Sequence, residues 1–475
     1  MLRNSRPAWV IGLVAVAAFM VSLDILVVTT ALAEIRTDLD ASVGALEWTM
    51  TSYNVCLAAL MLMGFALGDR FGRRRMFIVG IAIFTAGSVV CAVAPAIGTL
   101  IAGRTAQGIG AALIAPLELP LIAAVVAEGQ RGRALGIVAG VNGLAPLAGP
   151  MLGGGIATTV GWQWIFWANV PVGLALLVLV RRHVAESRGP TRPLDVPGAA
   201  LAAAAMAAVA WGLSRAADAG ITAPEVAVAL LVGLVLATGF VLRERSAWHP
   251  MIDLGLLRSR VSAAINFAAA CHSVLVIGAV FVMAQFLQAA LRVDSLGAGL
   301  RLLPWTGTMV LVGPLAGRLA DRFSPNLLAA GGLGVASLGY AWLALVTTDG
   351  VTYAALVVPL LVVGIANSAV FPAMSTAVAS AVAPHEVGVA AGINTTVRQI
   401  GSVLGIALAA LAFTTAGSFD TPAAATSGFR AASLLFVTLG LAGTLASITA
   451  HQLQQTTIRR RTREPDHSAG RTAAR

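Results

Sequence analysis

The stretch GDRFGRRRMF, residues 68–77, joins two long apolar runs, and a related stretch, GRLADRFSP at 317–325, joins two more far along the chain. Each places Asp-Arg-Phe in a polar link: Asp69-Arg70-Phe71 and Asp321-Arg322-Phe323. Outward from either copy the sequence is a succession of apolar runs of about 20 residues, the length that crosses a bilayer as a helix. Of the 475 residues, 58% are hydrophobic and 11% charged, with a mean hydropathy of +0.87. A soluble chain carries roughly 25% charged residues, so this one reads as an all-α polytopic membrane protein.

Sliding a window of about 19 residues along the chain predicts fourteen spans, near 9–29, 46–67, 76–96, 99–122, 134–157, 163–181, 197–214, 223–242, 262–290, 298–317, 328–347, 351–374, 389–413 and 429–451. The second Asp-Arg-Phe link follows the first by eight spans. Two six-helix repeats alone would separate the copies by six, so two further helices, the seventh and eighth, are expected between the repeats. The chain then divides into an N-terminal six-helix bundle (1–190), two inserted transmembrane helices with linkers (191–260), a C-terminal six-helix bundle (261–452) and an Arg-rich tail (453–475). The links and tail are too short for a separate soluble domain.

The net charge is +10, and all 31 basic residues are arginine. Twenty-four of them fall in the links on one side of the predicted bundle and at the two ends of the chain. The positive-inside bias puts that side, with both termini, in the cytoplasm of a cell-membrane protein. Topology therefore accounts for the charge, and nucleic-acid binding is not expected. Arg3, Arg6 and the Ala31-Leu32-Ala33 triplet imitate a secretory signal, but the apolar run between them exceeds an h-region of about 7–15 residues and holds an acid, so an uncleaved first helix is expected.

The Asp-Arg-Phe links have a physical rationale of their own. Gly68 and Gly72 permit a tight turn and close helix approach. Asp69 and Asp321 can face the positive N-terminal end of a neighbouring helix. Arg70, Arg73 and Arg322 hold the link at anionic headgroups. The repetition points to a conformational latch as well as a topological signal.

The acid in the first span is Asp24. Arg104, in the fourth, sits at a similar depth, about 8 Å from the same boundary at 1.5 Å per residue, so a buried ion pair is open to them. A lone charge at that depth costs several kcal/mol. Asp24 is thus either a structural partner of Arg104, a residue at the lip of the membrane, or a protonatable group: desolvation favours its neutral form and a nearby cation its charged form. Glu118 lies about 21 Å further along the fourth span, flanked by Pro116 and Pro120. It is either a proton relay or a helix-end acid contacting Arg131 or Arg133.

At these residues the sequence resembles the major facilitator superfamily, in its fourteen-helix drug:proton antiporter branch of multidrug exporters, over essentially the whole chain. GDRFGRRR resembles the superfamily's loop motif. LIAGRTAQGIGAAL resembles the helix 4 motif at Arg104, Gln107, Gly108 and Gly110, and SLDILVVTTAL the helix 1 motif of drug exporters. GPMLGG, with Gly149, Pro150, Gly153 and Gly154, resembles the antiporter motif. WQWIFWANVPVG and NTTVRQIG match further branch patterns. Departures are Phe65 at a usual glycine, Ser324 in the second loop copy, Ala145 with Pro146 in the helix 5 motif, and Gln163 between two tryptophans. The resemblance implies a proton-coupled exporter of small amphipathic drugs or antibiotics, working as a monomer by alternating access, with Asp24 and Arg104 in proton coupling and the helix 5 motif governing exchange direction. Glu118 belongs to none of these motifs and joins the proton-coupling candidates from its position alone. A porter of one metabolite, sugar or lipid on the same fold is the alternative.

An enzyme is not expected. The histidines, at 183, 249, 272, 385, 451 and 467, are scattered, and Cys56, Cys91 and Cys271 are odd in number and unpaired in spacing, so neither a metal site, a disulfide framework nor a cofactor is implied. His272, Asn266, Gln285 and Gln288 read as interhelical hydrogen-bonding groups. Arg398 reads as a residue that snorkels to the cytoplasmic end. Trp48, Tyr53, Phe267, Phe281, Phe286 and Trp305 read as lipid- or interface-facing aromatics, with a pocket lining as the alternative.

Overall fold

A computed structural model describes residues 7–127, 134, 137–138, 141–142, 144–189, 195–220, 222–246, 259–320, 322–382 and 387–463. Among these, all regular structure is helical: α1 (Pro7–Asp38), α2 (Val43–Phe71), α3 (Arg73–Ala92), α4 (Ile97–Ile114), α5 (Glu118–Ala123), α6 (Ala145–Thr159), α7 (Gln163–His183), α8 (Val196–Ala219), α9 (Pro224–Ser246), α10 (Arg260–Leu291), α11 (Ser295–Arg301), α12 (Leu303–Ala320), α13 (Pro325–Val346), α14 (Tyr353–Ser380), α15 (Val387–Ala416) and α16 (Pro422–Arg463). In lipid a chain satisfies its backbone polar groups within each segment, which makes helices of the apolar runs. Eleven of the described helical segments are long and apolar enough to cross a membrane, and the bent α2 makes twelve. The two remaining predicted spans fall on α6 and on α11 with α12.

Proline divides two of the predicted spans. A 3-10 turn, Ala115–Leu117, with Pro116 in it, separates α4 from α5. Pro304, second residue of α12, has no N–H to donate and crowds the carbonyl four residues back, so the predicted span at 298–317 becomes the short α11 followed by α12. The last helix is longer than its apolar run. α16 continues through the first part of the Arg-rich tail to Arg463, since HQLQQTT has no breaker. His451 hydrogen-bonds Ser324 (2.9 Å), and Gln454 accepts from Asn326 (2.9 Å), tying this extension to the start of α13.

The helices before residue 190 pack mainly on one another, as do those after 260. In the first group α4 packs between α2 and α3, α7 on α3, and α6 on α1. In the second, α10 packs on α15 and α16, and α14 on α12 and α13. α8 and α9 pair, and α8 also touches α2 and α15, so the pair sits where the two groups meet. α9 turns Val228, Leu231, Val232, Leu234 and Val235 outward, as a lipid-facing helix must. Between α2, α8, α9 and α15 lies an apolar cavity of about 260 Å³, lined in part by Ala59, Met206, Phe240, Ile400 and Val403.

The aromatics depart from expectation. Tyr53, Phe281, Phe286 and Trp305 are fully buried, while Phe267 is exposed. Large rings fill the space between helices here; Phe286, for example, stacks on Phe429 with centroids 4.2 Å apart.

Candidate functional site

Three helices, α1, α4 and α7, meet at Asp24. α1 runs unbroken through it and carries the carboxylate to the interior of the first group, where it is 2% exposed. Arg104 and Gln107, three residues apart on α4, share one face and both reach it: Arg104 Nη1 donates to Oδ2, and Gln107 Nε2 to Oδ1 at 3.1 Å. Asn169 of α7 donates to Oδ1 at 2.8 Å. Gln107 is itself oriented by Ser88 of α3, 2.8 Å from Nε2, and its Oε1 accepts from Arg104 Nη1 at 2.8 Å. The ion pair foreseen from helix depth is therefore present, and Asp24 is not a lip residue.

Arg104 is wholly buried. Its Nε donates to the Thr49 carbonyl at 3.0 Å, and its guanidinium lies 4.5 Å from the Tyr53 ring centroid and 6.0 Å from that of Phe166. Nη2 has no hydrogen-bond acceptor; the two ring faces supply the attraction there. A desolvated carboxylate with three donors and a desolvated guanidinium with a carboxylate, an amide oxygen, a carbonyl and two rings form a closed polar network. Gln107 and Asn169 were within quoted motifs, but their contact with Asp24 was not foreseen; the i, i+3 spacing of Arg104 and Gln107 was the available signal.

Glu118 stands apart. It is half-buried at the first turn of α5 and, among the described residues, takes no part in the Asp24 network. Arg131 and Arg133, its candidate partners, lie outside the described residues.

The Asp69 link is a built contact. Gly72 has φ +112°, a conformation that favours glycine. Asp69, 2% exposed, takes Arg73 Nε at 2.8 Å and Nη2 at 2.7 Å. Its partner is thus an arginine of its own link, not a neighbouring helix terminus, because the turn at Gly72 folds α3 back over it. The segment after α7 closes over the link: Arg73 N–H donates to the Ser187 carbonyl (2.9 Å), Arg74 N–H to Glu186 Oε1 (3.0 Å), and the Arg74 side chain to the Val184 carbonyl (3.2 Å). Glu186 also faces Arg75 at 3.8 Å. Gly68 leaves space that Leu117 occupies, and Arg70 lies 5.4 Å from the Phe71 ring. In the second copy Asp321 lies outside the described residues; Arg322 donates its N–H to the Leu319 carbonyl.

The glycines of GPMLGG seat α6 between the two groups. A Cβ on Gly149 would meet the Leu26 side chain at 2.6 Å, and one on Gly153 would meet Thr30 Oγ1 at 2.6 Å, both on α1. One on Gly154 would run into the Ser295 and Leu296 backbone of α11, and Gly299 of α11 abuts the Pro150 backbone in return. Beside this crossing Ser295 donates to the Glu34 carboxylate, Gln288 Nε2 donates to the Thr30 carbonyl at 3.0 Å, and Arg36 faces Asp420 at 3.4 Å. These bonds join the groups at the end of the bundle where α1 finishes. In the second group His272 Nε2 donates to the Asn367 carbonyl (3.2 Å) and Asn394 to Asn266 (3.1 Å), both between helices.

A family model described as Major Facilitator Superfamily matches residues 14–406. The chain is 30% identical over 446 residues to the "Methylenomycin A resistance protein" of Bacillus subtilis (strain 168), covering 94% of each chain. It is 32% identical over 429 residues to the "Cephamycin export protein CmcT" of Amycolatopsis lactamdurans, covering 89% of this chain and 88% of that one. Among solved structures, a peptide transporter POT in complex with sulfate superposes with a TM-score of 0.67 at 15% identity, over 94% of this chain and 95% of the other, a likeness of fold.

Proposed function

This chain belongs to the Major Facilitator Superfamily, and from that premise we propose that it is a proton-coupled antiporter that exports small amphipathic drugs or antibiotics across the cytoplasmic membrane by alternating access. It does so as a monomer with fourteen spans and both termini in the cytoplasm. The relatives named for antibiotic resistance and export support the substrate class. The observation that carries the coupling is the closed network around Asp24.

An acid held by Arg104, Gln107 and Asn169 and shut from water loses its ion-pair attraction when a proton arrives, while Arg104 keeps Thr49, Gln107 and the rings of Tyr53 and Phe166. The proton therefore changes what holds α1 to α4 and α7 without unmaking the whole site. Contacts of Glu34, Arg36 and Gly154 with the second group hold the bundle shut at the outer end, and the Asp69 and Asp321 links stabilise one of the two states at the cytoplasmic end. Two six-helix bundles rock against each other, with Glu118 as a second acid near the inner end and the α6 glycines as the sliding surface. Each proton moving inward releases about 2.3 kcal/mol per 100 mV of potential.

Acidified everted vesicles test this. Adding an amphipathic drug, with cationic, neutral and acidic compounds tried in turn, should trigger proton release reported by a pH-sensitive dye. Asp24→Asn vesicles containing the same amount of protein should give none. An undiminished signal from that variant would remove Asp24 from the coupling.

A further inference from the structure

Arg104 has a counterpart in the second group that pairs with no acid among the described residues. Arg398 lies eleven residues into α15, and its guanidinium sits over the Phe371 ring of α14, 4.0 Å from the centroid. Phe371 is nine residues short of the end of α14, so the side chain stacks between helices at depth and does not snorkel. Its Nε is buried without an acceptor, and among the described residues no carboxylate pairs with it. The described acids after residue 259 are Asp294, Asp349 and Asp420, all in links at the end where α1 finishes. From Arg398 to the last residue of α15 is about 27 Å, too far for any of them to serve.

The surroundings leave the guanidinium partly accessible and, among the described residues, unpaired. On α14 the exposed apolar stripe is Val358, Leu361 and Ile365. Phe371, further along α14, is also exposed. The half-buried Arg398 guanidinium lies on the face of this open ring. Four residues before Phe371 on α14, the Asn367 carbonyl holds His272 of α10, while Asn367 Oδ1 is a second buried atom with no partner. A charge at membrane depth without a partner is costly. A guanidinium flat on a ring keeps its in-plane N–H groups free, in the fork that matches a carboxylate. Asp24, by contrast, is already neutralised by Arg104 and offers no free charge to a cation.

We propose that Arg398, on its Phe371 platform, is the subsite for an oxyanion of the transported compound, so that this exporter takes acidic or zwitterionic amphiphiles in preference to simple lipophilic cations. The proposal rests on the exporter reading above and specifies its substrate. The same chemistry would receive the phosphate of a lipid headgroup, and the test separates the two.

Purified full-length protein in phosphatidylcholine nanodiscs is titrated with three probes of one body: pyrenebutyrate, pyrenebutanol and the pyrenebutyl trimethylammonium ion. Binding is read by energy transfer from protein tryptophan, with empty nanodiscs subtracted. The wild type should bind the acid at least about tenfold more tightly than the alcohol, the advantage of one charge-assisted contact, and the cation most weakly. Arg398→Gln should bring the acid-to-alcohol ratio near one, and Arg398→Lys should retain part of it, with both variants checked for an unchanged gel-filtration profile. A wild type that binds all three alike, prefers the cation or binds none overturns the proposal, as does an Arg398→Gln variant that keeps the preference. Loss of the preference when half of the lipid is phosphatidylglycerol would assign the site to a lipid headgroup and equally overturn it. Failure of proton exchange in vesicles, with this binding pattern intact, would count against the antiport reading alone.

Discussion

Replacing Arg104 by leucine should destabilise the protein by about 3–5 kcal/mol, the cost of leaving a buried charge without its ionic partner. The structure supports a value in that range. Asp24 is 2% exposed and would keep only the neutral amide donors of Gln107 and Asn169. The same change removes a guanidinium that bonds Thr49 and lies over Tyr53. Adding Asp24→Asn should recover most of the loss, to within about 1–2 kcal/mol of wild type, because both charges are then gone and the amide still accepts from Gln107 or Asn169. Stability is read from SDS unfolding of purified protein in mixed micelles, followed by tryptophan fluorescence. Drug-triggered proton release should be absent from both variants, so the rescue of stability carries no rescue of coupling. A single variant within about 1 kcal/mol of wild type, or a double variant no more stable than the single, would refute the view that the pair is a desolvated charge network.

Two further outcomes follow from the glycines. Gly154→Val places a branched side chain against the Ser295 and Leu296 backbone, so it should open the end where α1 finishes; a Thr30→Cys reporter, buried in the present state, should then react several-fold faster with an impermeant maleimide added outside, and an unchanged rate would count against this crossing as a closure contact. Gly72→Val combines φ +112° with a Cβ 2.7 Å from the Glu186 carboxyl, and should cost about 1–3 kcal/mol in the same unfolding titration, with no loss expected only if the segment after α7 does not close over the link.

The superfamily fold was legible because its signals are local. A transmembrane helix declares itself by a run of apolar residues, and its rise of 1.5 Å per residue was enough to put Asp24 and Arg104 at one depth. The repeated Asp-Arg-Phe links and the glycines of GPMLGG were equally readable, since a tight turn or a close helix crossing demands a small residue on the spot.

What the sequence by itself determined, then, was a bundle of apolar helices, the polar links between them and the depth of each charge along its own helix. Which helices face one another was decided only by the tertiary structure. Depth did not disclose that Asn169, 145 residues from Asp24, completes the acid's coordination, nor that Glu186 closes the Asp69 link from 112 residues away. It also made Arg398 look like a snorkelling residue, when it is the packing of α14 on α15 that sets its guanidinium over Phe371, with no carboxylate paired to it among the described residues. The rotation of a helix about its own axis leaves its length and hydropathy unchanged, so contact between helices is settled by packing and cannot be read from either one alone.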